Sequence, residues 1–174
     1  MDILLVFLKA IWCGVSALGF GMLFNSPSRS FAFIWFGGFM AGLVKFGLVT
    51  LGVTGGIVTA SFAAAITVGL LSIPVAHSSH VPPVIFSIPS VIPLVPGVFA
   101  YKTILGIIKL TSQTGPAYIE NLGETFQNGS TTMFTMLAIS LGVAVPMHVL
   151  RTKSVKNLRL FPKQPSIPAK NLEK

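Results

Sequence analysis

The chain has 174 residues, of which 52% are hydrophobic and only 9% charged, with a mean hydropathy of +0.82 and a formal net charge of +8. That balance excludes an ordinary soluble domain of this size and reads as a multispan membrane protein. Nor does the positive charge point to nucleic acid: seven of the twelve basic residues (Arg151, Lys153, Lys156, Arg159, Lys163, Lys170 and Lys174) follow the last apolar stretch, with no aromatic interleaving beyond Phe161.

A helix that crosses about 30 Å of hydrocarbon needs about 20 residues. Ile3 to Phe24 is the first stretch of that length. It follows only Met1 and Asp2, without a basic leader or a small-residue cleavage site, so it is expected to be retained as a span. Cys13 is the only cysteine, which excludes an intramolecular disulfide, and it is expected to be a small packing residue. Phe31 to Val53 and Ile57 to Ala76 supply the second and third spans.

The fourth apolar stretch, Val84 to Leu110, cannot be one continuous helix. Pro89, Pro93 and Pro96 each remove a backbone donor and disfavour helical geometry in the residue before, and Gly97 admits conformations that other residues avoid. Neither half on its own side of Pro96-Gly97 is long enough to cross, so the stretch reads as one broken span or as a re-entrant hairpin. In lipid such a break is tolerated only against protein or a water-filled cavity, which makes it a candidate site. Gly129 to Leu150 is the fifth span. The expected fold is therefore an all-α integral membrane bundle of about five spans over residues 1–150, followed by a basic tail over residues 151–174. Pro162, Pro165 and Pro168 favour an extended end to that tail.

Small residues recur at three- and four-residue intervals, an arrangement that lets helix backbones approach closely. They are Ala10, Gly14, Ala17 and Gly21 in the first span and Gly38 and Gly42 in the second. The third offers Ser61, Ala65, Gly69 and Ser72, and the fifth Thr131, Thr135, Ala138 and Gly142. Charge placement sets orientation: a basic tail held in the cytoplasm, against anionic lipid, puts the N-terminus outside after five crossings. Arg29 then falls inside, and the acidic stretch with Glu120 and Glu124 outside.

If the second half of the broken span begins within the bilayer near Val98, its unpaired N–H groups and positive dipole end favour an anion, most naturally a carboxylate. Lys102, one turn further, would share that carboxylate, with Tyr101 as a hydroxyl donor and Ser90 as a lining group. The competing reading is that the prolines kink a packing helix and Lys102 snorkels to water. Lys45, well inside the second span, needs a partner or water and reads equally as a pathway charge or an interfacial lysine. No acidic residue lies deep in any span, so a buried carboxylate for proton coupling would have to come from another subunit. His77, His80 and His148 lack the further ligands that a metal site requires, so no metal or other cofactor is expected. Without a nucleophile elbow, zinc-protease signature or phosphate-binding loop, the chain does not read as an enzyme.

Gly19-Phe20-Gly21-Met22-Leu23-Phe24-Asn25-Ser26-Pro27-Ser28-Arg29, after the first span, pairs with Val91-Ile92-Pro93-Leu94-Val95-Pro96-Gly97-Val98-Phe99-Ala100-Tyr101 in the broken one. Together these motifs resemble the threonine/serine exporter family, and in particular its small YjjB-type five-span subunit. The resemblance extends in span order and length to about Leu150, whereas the long basic tail looks peculiar to this sequence. It implies export of small carboxylates, threonine and serine or a dicarboxylate such as succinate, across the bacterial cytoplasmic membrane, with proton-motive coupling. It also implies a larger YjjP-type membrane subunit as partner, or self-association in its place. Asn25, Pro27, Arg29, Pro93, Pro96, Gly97 and Tyr101 are the site positions that match its motifs; Lys102, Ser90 and Lys45 rest on the physical argument above. Asn25 and Pro27 can equally serve to stop the first helix, with Arg29 anchoring the loop. The rival to a transport subunit is a noncatalytic subunit that packs or stabilises a membrane complex.

Overall fold

The computed structural model describes residues 3–52, 55–79 and 81–157, with the backbone only at residues 78 and 150–157. Helices α1 (Ile3–Leu23), α2 (Phe31–Thr50) and α3 (Ile57–Ser79) are followed by a short α4 (Val84–Val91) and a 3-10 turn at Ile92–Leu94. After the turn come α5 (Gly97–Leu110) and a long α6 (Pro116–Asn157). There are no strands among the described residues. Among the described residues four helical runs are each long and apolar enough to cross a membrane, and there are five if α4 with its 3-10 turn and α5 count as one bent span. The bundle predicted from the sequence is thus the fold.

The helices approach closely where the small-residue seams were expected. In α2, a methyl added at Gly38 would come within 2.5 Å of the Ala17 Cβ and 2.9 Å of the Cys13 carbonyl oxygen, and one at Gly42 within 2.9 Å of the Ala10 Cα. The second seam joins α3 to α6: a methyl at Gly142 would stand 2.7 Å from the Ala65 Cβ and 2.9 Å from the Phe62 carbonyl oxygen. Lipid offers no hydrophobic drive for helices to associate, so close backbone approach and the dispersion it brings must hold these pairs together. Contacts between α2 and α3 tie the α1/α2 and α3/α6 pairs into one bundle, and α4 lies against α1, α2 and α3. At its centre Ala41, Ala64, Ala65, Val68, Val91, Leu94 and Ile139 form a buried cluster, which places the end of the 3-10 turn in the middle of the bundle.

From that central point α5 leaves at 57° to the preceding segment and runs along α6. The two segments together have the length and apolar composition of one crossing, and the bend between them fits a broken span or a re-entrant loop. Gly106 of α5 abuts Thr125 of α6, and a methyl at Gly129 would lie 3.2 Å from the Thr103 Cγ2, so α5 is seated on the early part of α6.

Helix α6 begins at Pro116, well ahead of the expected start of the fifth span at Gly129, and its 42 residues extend about 63 Å at the helical rise. Proline suits the first helical position, where its missing N–H costs nothing, and Gly115 before it takes a positive φ of 78°. Asn121 Nδ2 donates to Gln113 Oε1 at 2.5 Å, closing the turn. Hydropathy alone marks only the apolar part of this helix, because the first turns carry Glu120, Asn121, Glu124, Gln127 and Asn128. Of the expected tail, the first seven residues continue α6; the remainder, together with Val53 and His80, lies outside the described residues.

Candidate functional site

At the break several hydrogen bonds of a continuous helix are replaced by shorter-range ones, and for one of them neither a helical nor a shorter backbone bond forms. Pro96 has φ −81° and ψ 65°, the centre of an inverse γ-turn, and Gly97 N–H donates back to the Val95 carbonyl at 2.9 Å. In an unbroken helix Val98 N–H would donate to the Leu94 carbonyl. Instead, Leu94 O accepts from Lys45 Nζ at 2.7 Å, while Val98 N–H has no hydrogen-bond partner among the described residues. Lys45 is only 8% exposed and Leu94 is fully buried. A charged donor thus satisfies a carbonyl that the prolines leave without its helical partner, in a place where an unpaired carbonyl would be costly.

The expectation that the start of α5 offers a set of free donors is corrected by this geometry. Besides Gly97, the amides of Phe99 and Ala100 are occupied, both donating to the Pro96 carbonyl at 3.1 Å, which leaves Val98 as the free donor of that first turn. The γ-turn and an immediate α-helical restart consume the rest.

The predicted residues are not gathered into one pocket. Pro93 is half-buried in the 3-10 turn and Pro96 is buried, whereas Gly97, Tyr101 and Lys102 are exposed, Tyr101 by 65%. Ser90 is buried, and its hydroxyl is engaged with the Phe86 carbonyl at 2.7 Å and the Ile34 carbonyl at 3.2 Å, pinning α4 to α2. A methyl at Gly37 would meet Ser90 Oγ at 2.5 Å, so that glycine makes room for the contact. Helix α5 has extended packing only along α6, which leaves Val98, Tyr101, Lys102, Ile104 and Ile108 on uncovered faces.

Asn25, Pro27 and Arg29 lie at the other end of the crossing, all exposed. Asn25 sits at φ 53°, with its N–H on the Met22 carbonyl and Ser26 N–H on the Gly21 carbonyl, both at 3.0 Å. This is a Schellman ending, with asparagine in the left-handed position that glycine usually fills. Pro27 then starts the turn whose carbonyl accepts from Ser30 N–H at 2.8 Å. Between this loop and α4 lies a cleft of about 250 Å³ lined by Phe24, Asn25, Ser26, Pro27, Val84, Ile85, Ile88 and Pro89. The first motif therefore faces the start of the broken crossing, about 15 Å of helix away from Leu94.

Sequence reasoning did not single out the Leu94 carbonyl, whose role is invisible in a leucine, or Ser30, and it marked Ser61 only as a small packing residue; the buried hydroxyls of both serines have no hydrogen-bond partner among the described residues. His77 Nδ1 pairs with the Ile73 carbonyl at 2.9 Å, and no cluster of metal-ligating side chains occurs among the described residues.

A multi-pass helical membrane protein with one crossing broken at its centre and a buried cation at the break is the class that these features define. The chain belongs to the threonine/serine exporter family: the family described as "Threonine/Serine exporter, ThrE" matches residues 9–149, and it is a family of transporters rather than enzymes. It is also similar to an uncharacterized protein of Haemophilus influenzae (strain ATCC 51907 / DSM 11121 / KW20 / Rd), with 29% identity over 141 residues that cover 78% of this chain and 44% of that protein. The chain thus spans less than half the length of this curated relative. No solved structure matches it.

Proposed function

We propose that this chain is one subunit of an exporter of small carboxylates, working in the bacterial cytoplasmic membrane with its C-terminus inside. The substrates are threonine and serine or a dicarboxylate such as succinate, and the partner is a larger YjjP-type membrane subunit. The observation that carries the reading is the central break, where a buried ammonium takes the place of a helical N–H in a chain from an exporter family. Irregular backbone at membrane depth belongs where it lines a cavity or meets protein, and an intramembrane cation marks a route for anionic groups. Exposed Tyr101 and Lys102 on α5 support a partner that covers this helix, since a lysine on a crossing segment needs water or a counter-charge. Secondary transporters commonly place substrate between two repeats, and a five-crossing unit with one broken helix suits one such repeat.

Efflux of labelled threonine, serine and succinate from cells carrying this chain, the partner or both tests the proposal. Efflux only with both supports it and identifies the substrate. Full efflux with the partner alone would leave this chain a noncatalytic subunit, the reading favoured by the packing role of the Ser90 hydroxyl and the helix-ending role of Asn25.

A further inference from the structure

We infer that Lys45 is the carboxylate-recognition residue of this chain, and that its ammonium holds the broken crossing bent until a carboxylate draws it away from Leu94; the inference rests on the carboxylate-export reading above. An ammonium has three N–H donors, and Lys45 spends one on a neutral carbonyl. Its positive charge has no counter-ion among the described residues. The elements packed against α2 are α1, α3, α4 and the 3-10 turns at Ser28–Ser30 and Ile92–Leu94, and their described titratable side chains are Lys9, Cys13, Arg29 and His77, none of them a carboxylate. Lys9 stands 5.4 Å from the centre of the Phe46 ring, so the neighbouring helix adds positive charge. The described acidic residues, Glu120 and Glu124, are exposed on the first turns of α6. An ionisable residue at such a depth pairs with another charge or with a backbone carbonyl and marks a candidate functional site, and Lys45 has two donors left for an anion.

The geometry supplies a consequence of that meeting. The bond to Leu94 already has an ionised donor; a carboxylate makes the acceptor ionised as well and adds the attraction of opposite charges in a buried setting, so an arriving carboxylate out-competes the Leu94 carbonyl for Lys45. Leu94 O then lacks a donor in a fully buried position. Val98 N–H, unpaired and four residues on, is the donor that helix geometry assigns to it. Forming that bond draws the start of α5 toward the 3-10 turn and reduces the 57° bend. Binding energy at Lys45 is thus converted into movement of α5, because the ligand favours one of two discrete pairings of the same carbonyl. Val98, 67% exposed in the bent form, reports which pairing is present.

The test uses the full chain assembled with its partner in cells, with Cys13→Ser and Val98→Cys, and follows the rate at which a membrane-impermeant maleimide labels position 98. Threonine, serine and succinate are added, each beside its uncharged amide. With Lys45 intact, the exported carboxylate is expected to change the labelling rate and its amide to be without effect. Lys45→Arg keeps a response that needs about tenfold more carboxylate, since a charged donor remains but its reach is altered. Lys45→Met loses the response while the complex still assembles. A carboxylate response in Lys45→Met equal to that of the parent, or an amide as effective as the acid, overturns the inference; should Lys45→Met fail to assemble, an unchanged response in Lys45→Arg does so. Export with no labelling response to any carboxylate refutes the switch and leaves the exporter standing, whereas absence of both export and response removes the two together.

Discussion

A methyl group at Gly38 tests whether the α1/α2 seam is set by backbone approach. Its Cβ would lie 2.5 Å from the Ala17 Cβ, 2.9 Å from the Cys13 carbonyl oxygen and 3.3 Å from the Gly14 Cα. Carbon atoms pack best at about 3.5–4.0 Å, so the pair must separate by about 1 Å, and two of the three obstructing atoms are backbone that cannot turn aside. Overpacking of this kind costs about 1–3 kcal/mol. Alanine also gains about 1 kcal/mol over glycine within a helix, which partly conceals the cost. Gly47 corrects for this, because it lies on the same helix and a methyl there meets nothing within 4 Å. Gly38→Ala should therefore be less stable than Gly47→Ala by about 1–3 kcal/mol. Unfolding of the purified variants in mixed micelles by increasing SDS, followed by circular dichroism, gives the two free energies. Equal stability of the two variants would refute the backbone-contact account of the seam.

Asn25→Val should lower stability by about 1–2 kcal/mol because a β-branched residue replaces asparagine at φ 53°, whereas Asn25→Gly should be tolerated; the same SDS titration compares them. Gly97→Ala has open space around its new methyl within this chain and should leave its stability in the SDS titration unchanged; a loss above about 1 kcal/mol would contradict the exposed placement. Lys102→Ala should abolish efflux with the complex still assembled if α5 lines the route; loss of assembly in its place assigns that face to subunit contact. Ser90→Ala should cost about 1 kcal/mol of stability, the net worth of a hydrogen bond, with a normal efflux rate for whatever complex remains.

Much of this architecture is legible residue by residue. Proline lacks an N–H and glycine lacks a Cβ wherever they stand, so the interruption in the fourth crossing and the close-packing faces of α1, α2, α3 and α6 follow from residue type and spacing. The start of α6 is less legible, because its early turns are polar and their helix is sustained by seating against α5, at Gly106 and Gly129, rather than by apolar composition. Asn25 illustrates a shared signal: an asparagine followed by serine and proline suits a helix ending and a site equally, and the Schellman hydrogen bonds show the ending.

By itself the sequence determined that the chain is an all-α membrane bundle and that its fourth apolar stretch breaks near Pro96, and it left Lys45 with a choice between a partner and water, since each depends on local covalent chemistry and apolar length. Which group meets Lys45 was decided only by tertiary structure. The partner is a backbone carbonyl 49 residues away, on a residue whose side chain carries no polar atom, and the packing of α2 against the 3-10 turn brings them together. The same packing withdraws Ser90 from the break and leaves Tyr101 and Lys102 on an uncovered helix, because the direction in which a side chain points depends on helix rotation and on the angle of the bend.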